Sequence, residues 1–318
     1  MKGVILDADS LGQGQVDLTP ITNLLDEWDV HGTSSYGETL QRIEGADIVL
    51  SNKIVLDEAI LNAASGLKHI SVMATGTNNV DLDAAKQANI TVSNAVAYAT
   101  PSVVQHTINL MLNLATNQPA YIQDVRDKAW QKAPAFCLLN HPISELDNKV
   151  LGIVGYGELG SNVASVAKAF GMRILIAQRP GSVDERNARL PLDELLGQVD
   201  YLSLHCPLTP DTENLLNAST LARMKPSAYL INTARGGLVN STDLITAIKT
   251  RVIRGAAIDV LNIEPPHDDE ILINANLDNL IVTPHNAWGA IESRQRLVLQ
   301  VSENIKCFLD GSPVRVVS

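Results

Sequence analysis

The sequence predicts an α/β fold with doubly wound parallel sheets. Short runs rich in Val, Ile and Leu recur along the chain, and each is followed by a segment with helical spacing. Near-continuous apolar runs are expected where parallel strands are buried on both faces by crossover helices. Strand–helix alternation of this kind is typical of doubly wound sheets. At 318 residues, the chain suits two domains of ordinary size better than one core.

The predicted strands fall into two sets. In the first third of the chain they are GVILDA (3–8), ADIVLSN (46–52), HISVMATG (69–76) and ITVSNA (90–95). From residue 150 onward they are VLGIVG (150–155), RILIAQ (173–178), DYLSLH (200–205), AYLINT (228–233), GAAIDV (255–260) and NLIVTP (279–284).

Two longer helices are predicted outside this alternation. The first covers residues 100–119, with Pro101 at the first helical position and Pro119 as its stop. The second covers residues 290–310, with apolar side chains at helical spacing and Gly311 as its C-cap. Both fit connecting or packing helices, and they fit ordinary core helices equally well.

Composition excludes several classes of protein. The formal net charge of −11 and the isoelectric point near 5 argue against nucleic acid or an anionic membrane as a partner. The cysteines are few and widely spaced, so they indicate neither a disulfide framework nor a metal site. Asp7 interrupts the N-terminal apolar run too early for a signal peptide, and no apolar stretch approaches ~18 residues. We therefore expect a cytoplasmic protein.

A glycine motif follows the first strand of the second set. Gly155, Gly157 and Gly160 stand in G-x-G-x-x-G order, directly after an apolar strand and at the start of a helical pattern. Gly155 allows a tight turn, Gly157 lets the backbone approach a pyrophosphate, and Gly160 lets the helix pack on the strand. The helix N-terminus supplies N–H groups and partial positive charge. A glycine-rich turn without a ligand is the alternative.

Three chemically useful side chains follow successive strands of the second set. Arg235 follows AYLINT, Glu264 follows GAAIDV, and His285 follows NLIVTP. Ligands of open parallel sheets bind beyond the carboxyl ends of the strands, so we expect these side chains at one rim beside the glycine loop. Gly236 and Gly237 permit positive φ and close approach to the backbone behind Arg235.

These three side chains are suited to the reduction of a 2-keto acid. A guanidinium can hold the carboxylate with two parallel charge-assisted hydrogen bonds. An imidazole can donate a proton to the ketone oxygen as a nicotinamide delivers hydride, and a neighbouring carboxylate favours its protonated form. Arg235 would then orient the substrate, His285 would act as acid or base, and Glu264 would support His285. Each residue also has an ordinary alternative: a surface histidine, a solvated carboxylate, or an arginine that caps a helix or binds phosphate.

The end of RILIAQ (173–178), the second strand of the second set, bears on the choice between NAD and NADP. An NAD site usually carries Asp or Glu about 20 residues after the glycines, where it binds the ribose 2′-hydroxyl. Here that position holds Gln178, followed by Arg179. An amide does not repel a 2′-phosphate, and the guanidinium can pair with it. The sequence therefore favours NADP, with NAD possible because Gln can also bind a hydroxyl.

Several motifs together resemble those of the D-isomer-specific 2-hydroxyacid dehydrogenases. These are GYGELG, HCPLTPDTENLLN, MKPSAYLINTARGGLVN, AAIDVLNIEPP and TPHNAW, and the resemblance runs over nearly the whole chain. It implies a flavodoxin-like substrate domain (1–98 plus 287–318), a Rossmann-type dinucleotide domain (99–286), and a hinged cleft between them. It also implies a homodimer built on the helix near residues 100–119.

The resemblance assigns further residues. Thr75, Gly76 and Trp288 would bind substrate together with Arg235 and His285. The cofactor-binding residues would be Gly155, Tyr156, Gly157, Glu158, Leu159, Gly160, Gln178, Arg179, Cys206, Pro207, Thr212, Thr233, Ala234, Asp259 and Val104.

Two features point to one branch of that family. WQKAPAFCLLNHPISEL (130–146) and Trp288 resemble the glycerate dehydrogenase/hydroxypyruvate reductase branch, and Glu264 differs from the glutamine of formate dehydrogenases. We expect interconversion of a small D-2-hydroxy acid and its 2-keto acid, such as D-glycerate and hydroxypyruvate or glycolate and glyoxylate. The alternatives are a D-lactate-type dehydrogenase and a dinucleotide-sensing, corepressor-like binding protein.

Overall fold

The computed structural model describes residues 1–179 and 189–318. The chain divides into two compact units. The first unit combines Met1–Ala99 with Trp288–Ser318, and the second comprises Thr100–Ala287. Within the described residues, every strand pair in both units is parallel, as expected for doubly wound α/β domains.

The first unit is built on a five-stranded sheet of order β2-β1-β3-β4-β5, the flavodoxin-like order. Its strands are β1 (Lys2–Ile5), β2 (Glu27–Val30), β3 (Ile48–Ser51), β4 (His69–Val72) and β5 (Thr91–Ser93). Its helices are α1 (Thr19–Thr22), α2 (Tyr36–Arg42), α3 (Glu58–Ala63), α4 (Leu82–Gln87) and, from the C-terminal segment, α12 (Ile291–Leu309).

The second unit is built on a six-stranded sheet of order β11-β10-β9-β8-β6-β7. Its strands are β6 (Val150–Val154), β7 (Arg173–Ile176), β8 (Tyr201–Leu204), β9 (Tyr229–Asn232), β10 (Gly255–Ile258) and β11 (Leu280–Val282). Its helices are α5 (Thr100–Thr116), α6 (Gln118–Arg126), α7 (Glu158–Ala169), α8 (Leu192–Leu196), α9 (Ala218–Leu221), α10 (Ser241–Lys249) and α11 (Ile271–Asn274).

The order of this sheet places the glycine motif. β6 lies between β7 and β8, so the chain runs to one side after β6 and to the other after β7. This reversal is a topological switch point, where doubly wound sheets bind ligands beyond the strand ends. The loop after β6, which carries Gly155 and Gly157, stands at that point.

The predicted strands are confirmed, and one more strand is present. β2 was not predicted because its sequence, Glu-Trp-Asp-Val, alternates without a continuous apolar run. Its residues are half-buried or exposed, and it pairs with β1 as the outer strand of the sheet. Edge strands lack the burial on both faces that produces the apolar signal.

The two long helices differ in detail from their predictions. α5 ends at Thr116, where Asn117 takes a left-handed conformation with φ of 48°. Pro119 does not stop this helix but lies in the first turn of α6, where its missing N–H is tolerated. At the C-terminal end of α12, Asp310 is the C-cap, and Gly311 follows with φ of 74°.

None of the helices in the described part of the chain has the length and apolar character that a membrane span requires.

Candidate active site

In the glycine loop, Gly155 and Gly160 pack closely against backbone atoms, whereas Gly157 has open space beside it. Gly155 has φ of 94°, and a Cβ there would lie 2.5 Å from the backbone of His205 and Cys206. A Cβ on Gly160 would collide with the Gly155 carbonyl, so the first turn of α7 packs directly on the loop. Gly157, the N-cap of α7, has open space beside it, with no atom within 4 Å of an added Cβ.

The remaining residues of this loop complete the start of α7. Tyr156 and Leu159 are partly buried, whereas Glu158 is exposed and lies in the first helical turn. Its carboxylate accepts a hydrogen bond from the Thr100 hydroxyl at 2.7 Å. Open backbone at Gly157 and the N–H groups of the first turn fit a pyrophosphate group, so these residues suit a dinucleotide.

Gln178 and Arg179 follow β7 at the same edge of the sheet. The Gln178 backbone N–H donates to the Leu190 carbonyl at 2.8 Å, and its side chain reaches the Arg189 carbonyl at 3.4 Å. Ala177 and Leu190 form an isolated parallel bridge beyond β7. Gln178 is therefore partly buried and held by this bridge, whereas Arg179 is exposed.

The segment after β8 forms a compact turn. Cys206 is buried, and burial raises the pKa of its thiol. Thr212 is also buried, and its hydroxyl donates to the Pro207 carbonyl at 2.8 Å and accepts from the Thr209 N–H at 2.8 Å. The Thr212 hydroxyl thus shapes the turn that begins at Cys206-Pro207.

Arg235 lies just beyond the end of β9. The buried Asn232 side chain accepts from the Ala234 N–H at 3.0 Å and donates to the Arg235 carbonyl at 2.8 Å. This Asx turn fixes the backbone on both sides of Ala234. The Arg235 side chain is exposed, and its Nη1 donates to the Ala234 carbonyl at 2.7 Å. Thr233 is buried, with its hydroxyl 3.2 Å from that of Thr107 on α5.

The glycines after Arg235 have a role other than positive φ. The left-handed glycines of the described chain do not include Gly236 or Gly237, so that expectation was wrong. A Cβ on Gly236 would instead collide with the backbone of Leu261 and Asn262. Gly236 therefore allows the segment that leads to Glu264 to pack directly behind Arg235.

Glu264 and His285 form a close pair. Glu264 Oε2 lies 2.5 Å from His285 Nδ1, and Glu264 Oε1 accepts from the Leu261 N–H at 2.8 Å. The two side chains are about one-third exposed, at 31% and 30%. Both carboxylate oxygens are thus engaged, and Glu264 holds the imidazole of His285 by its Nδ1 atom.

Asp259 at the end of β10 holds the segment around His285. Its side chain is 1% exposed; Oδ1 accepts from the Thr283 hydroxyl at 2.5 Å and the Asn286 N–H at 3.1 Å. Oδ2 accepts from the Ala287 N–H at 3.0 Å, and the Asp259 carbonyl accepts from the His285 N–H at 2.8 Å. The resemblance assigns Asp259 to cofactor binding, and no local sequence signal indicates this structural role.

The three catalytic candidates follow neighbouring strands. β9, β10 and β11 are adjacent and parallel, so the loops that carry Arg235, Glu264 and His285 leave the same edge of the sheet. That edge also carries the glycine loop after β6. The second unit therefore presents a guanidinium, a carboxylate–imidazole pair and a dinucleotide-type loop together. Among the described residues, no group of three His, Cys, Asp or Glu side chains could hold a metal ion.

The other predicted substrate residues belong to the first unit. Thr75 is exposed after β4, and its carbonyl accepts from the Asn94 side chain at 2.8 Å, while Gly76 is partly buried. Trp288 packs edge-on against Tyr98, with ring centroids 6.4 Å apart. Val104, predicted to contact the cofactor, lies on α5 of the second unit with 7% of its surface exposed.

Comparison with known proteins agrees with this arrangement. The profile described as "D-isomer specific 2-hydroxyacid dehydrogenase, NAD binding domain" matches residues 108–287. The chain is 43% identical to a glycerate dehydrogenase of Methylorubrum extorquens, with 88% of each chain covered. It is 36% identical to a hydroxypyruvate reductase of Blautia hydrogenotrophica over the full length of both chains. Among solved structures, an acyclic imino acid reductase in complex with NADPH and D-Arg superposes over both whole chains, with a TM-score of 0.87 and 26% identity.

The fold and the site define a dinucleotide-dependent oxidoreductase. The chain belongs to the D-isomer-specific 2-hydroxyacid dehydrogenase family. Its activity is the interconversion of a D-2-hydroxy acid and its 2-keto acid, with a nicotinamide dinucleotide as cofactor.

Proposed function

We propose that the protein reduces hydroxypyruvate to D-glycerate, or glyoxylate to glycolate, with His285 as the proton donor. The observation that carries this proposal is the 2.5 Å contact between His285 Nδ1 and Glu264 Oε2. An imidazole held by a carboxylate at Nδ1 can present a protonated Nε2 to a ketone oxygen. The names of the two relatives, glycerate dehydrogenase and hydroxypyruvate reductase, support the choice of substrate.

In this proposal each side chain has one task. Arg235, fixed by the Asn232 turn, binds the substrate carboxylate and sets the orientation of the adjacent carbonyl. His285 donates a proton to the carbonyl oxygen in reduction and accepts it back in oxidation. Glu264 holds the orientation of the imidazole through its contact with Nδ1. The bound nicotinamide dinucleotide supplies the hydride in reduction and accepts it in oxidation.

A panel of 2-keto acids tests the substrate. The purified protein is assayed with hydroxypyruvate, glyoxylate, pyruvate and 2-ketoisocaproate, each with NADH and with NADPH. We expect the highest kcat/KM with hydroxypyruvate or glyoxylate. A clear preference for 2-ketoisocaproate contradicts the substrate assignment, and a preference for pyruvate favours a D-lactate-type enzyme.

We further propose that NADPH is preferred over NADH. Gln178, at the end of β7, carries no charge that repels a 2′-phosphate, and Arg179 beside it is exposed. A guanidinium–phosphate hydrogen bond contributes about 1.5–3 kcal/mol. The NADPH in the matching imino acid reductase supports the proposal that this fold accepts the phosphorylated dinucleotide.

A double substitution tests cofactor choice. Gln178→Asp with Arg179→Ala is expected to shift kcat/KM toward NADH, mainly by weakening the use of NADPH. The matched control is Arg173→Ala, which removes an exposed arginine from the opposite end of the same strand. A wild-type enzyme that prefers NADH by about tenfold or more contradicts the proposal.

We also propose a homodimer formed through α5 and its neighbours. A groove of about 650 Å³ runs between α5 and α7. The following segment exposes large apolar side chains, including Phe136 at 90% and Leu139 at 77%. Exposed apolar side chains of this size commonly mark a protein interface.

Light scattering is expected to give twice the monomer mass. Phe136→Ser with Leu139→Ser is expected to weaken association. Ile273→Ser, at an exposed position on α11, is the control, and a monomeric wild type contradicts the proposal.

A further inference from the structure

His106 on α5 lies behind the segment that carries His285. Its side chain is 18% exposed. Its Nε2 atom is 3.1 Å from the Thr283 hydroxyl and 3.4 Å from Asp259 Oδ1. His106, Thr283 and Asp259 come from three elements of the second unit, and together they form a polar cluster beneath the active-site edge.

The hydrogen bonds of this cluster fix its protons. Burial raises the pKa of Asp259, but hydrogen bonds from His106, Thr283 and the Ala287 N–H outweigh burial and lower its pKa overall. The ionised Asp259 carboxylate can only accept hydrogen bonds. In the 2.5 Å contact between Thr283 Oγ1 and Asp259 Oδ1, the Thr283 hydroxyl therefore donates its single proton. Neither oxygen near Nε2 of His106, Thr283 Oγ1 or Asp259 Oδ1, then has a proton to give it, so His106 acts as the donor to this pair, which requires a proton on Nε2.

The Asp259 carboxylate restrains the strained backbone at His285. His285 has φ of 48°, a left-handed conformation that is uncommon for residues other than glycine. The N–H groups of the next two residues, Asn286 and Ala287, both donate to Asp259. The orientation of the carboxylate therefore fixes the direction in which the His285 side chain leaves the backbone.

We propose that His106 is a positioning residue, which acts through Thr283 and Asp259 to hold His285 in its active geometry. Nε2 of His106 donates to the oxygen pair formed by Thr283 Oγ1 and Asp259 Oδ1. Without that donor the pair loses a hydrogen-bond partner, and the segment that carries His285 is held less firmly. This inference rests on the proposed role of His285 as proton donor.

Two substitutions at His106 separate a positioning role from a merely structural one. His106→Gln places an amide N–H where the imidazole Nε2 lies, whereas His106→Leu removes the donor and retains bulk. We expect His106→Leu to lower kcat by about ten- to a hundredfold, as for a misplaced catalytic group, with little change in the Kd of NADPH. His106→Gln should recover most of the lost kcat. His31→Leu, a partly buried histidine of the first unit, is the control.

The outcomes distinguish the two proposals. If His285→Gln is nearly inactive but His106→Leu turns over at the wild-type rate, the positioning role is wrong and the proposed function stands. Equal kcat values for the Leu and Gln variants, or a fall in melting temperature with unchanged kcat, also contradict the positioning role. If His285→Gln itself retains wild-type turnover, the proposed function fails.

A measurement on the wild type avoids dependence on the folding of the variants. Nitrogen NMR of ¹⁵N-histidine-labelled protein reports which ring nitrogen carries the proton. The His106 signals, assigned by their absence from His106→Gln, are expected to show a protonated Nε2 at neutral pH and to shift in Thr283→Val. An unprotonated Nε2 contradicts the inference.

Discussion

Nδ1 of His285 lies 2.5 Å from Oε2 of Glu264, and the other oxygen of that carboxylate is bound to the Leu261 N–H. The carboxylate is therefore fixed to its own loop at one oxygen and holds the imidazole with the other. The orientation of the imidazole therefore depends on Glu264.

Glu264→Gln is expected to lower kcat for keto-acid reduction while the Kd of the dinucleotide stays nearly unchanged. Glu264 Oε2 lies 2.5 Å from His285 Nδ1, and a neutral amide makes a weaker hydrogen bond there than a carboxylate does, so the imidazole is held less firmly. Steady-state kinetics of the variant and the wild type provide the measurement. Wild-type kcat in Glu264→Gln would show that Glu264 does not support His285.

Arg235→Ala is expected to raise the KM of the keto acid strongly while the Kd of the dinucleotide stays nearly unchanged. The reason is the loss of charge-assisted hydrogen bonds to the substrate carboxylate, each about 1.5–3 kcal/mol. Arg235→Lys keeps the charge but not the paired geometry, so it should recover only part of the loss. An unchanged KM in Arg235→Ala would remove this residue from the substrate site.

Gly236→Ala is expected to lower kcat although it alters no catalytic side chain. An added Cβ would collide with the backbone of Leu261 and Asn262, so the segment that leads to Glu264 must move. Gly37→Ala is the matched control, because Gly37 lies in α2 with open space around its Cβ position. Steady-state kinetics of both variants provide the test. Wild-type kcat in Gly236→Ala would show that the two loops do not depend on this contact.

His69 predicts acid sensitivity of the fold. It is fully buried on β4 and stacks on Phe308 with ring centroids 4.5 Å apart. Burial lowers the pKa of His69 to about 4, and the backbone of Thr91 opposes this shift only in part. In the unfolded chain His69 has its ordinary pKa of 6.5. Burial of the neutral His69 imidazole therefore makes its full contribution to the free energy of unfolding above pH 6.5, and that contribution is lost as the pH falls toward 4.

The expected loss is on the order of 3 kcal/mol, from a shift of about 2.5 pKa units. Urea unfolding at several pH values measures it. His69→Leu should reduce the dependence of the unfolding free energy on pH between 6.5 and 4, while the buried His205 retains its own part of that dependence. His267→Leu, at an exposed position, should leave that dependence as in the wild type. The same slope in His69→Leu and the wild type would show that burial of His69 is not the cause.

The parts of the fold that follow from the sequence are those with continuous apolar signals. Strands such as β6 and β8 are buried on both faces and could be located from composition alone. The half-exposed edge strand β2 could not, because its polar sequence carries no such signal. Pro119 begins α6 and does not end α5, because sequence alone does not separate a proline that follows one helix from a proline that begins the next.

The candidate site was predictable in its residues but less so in its internal contacts. Arg235, Glu264 and His285 could be selected because each lies shortly after an apolar strand of the same sheet. The Asp259 carboxylate accepts hydrogen bonds from N–H groups that lie 27 and 28 residues later in the chain. The packing of Gly236 against Leu261 also depends on tertiary structure. Local sequence patterns do not encode such distant pairs.

The most direct test of His285 as the proton donor is a single-turnover measurement with His285→Gln. Wild-type protein or variant with bound NADPH is mixed with hydroxypyruvate, and oxidation of the dinucleotide is followed in the stopped flow. Binding of NADPH to the variant is measured separately by fluorescence. We expect His285→Gln to bind NADPH as the wild type does but to oxidise it about 10²–10⁴-fold more slowly. Oxidation at the wild-type rate in His285→Gln would contradict the assignment of His285 as the proton donor.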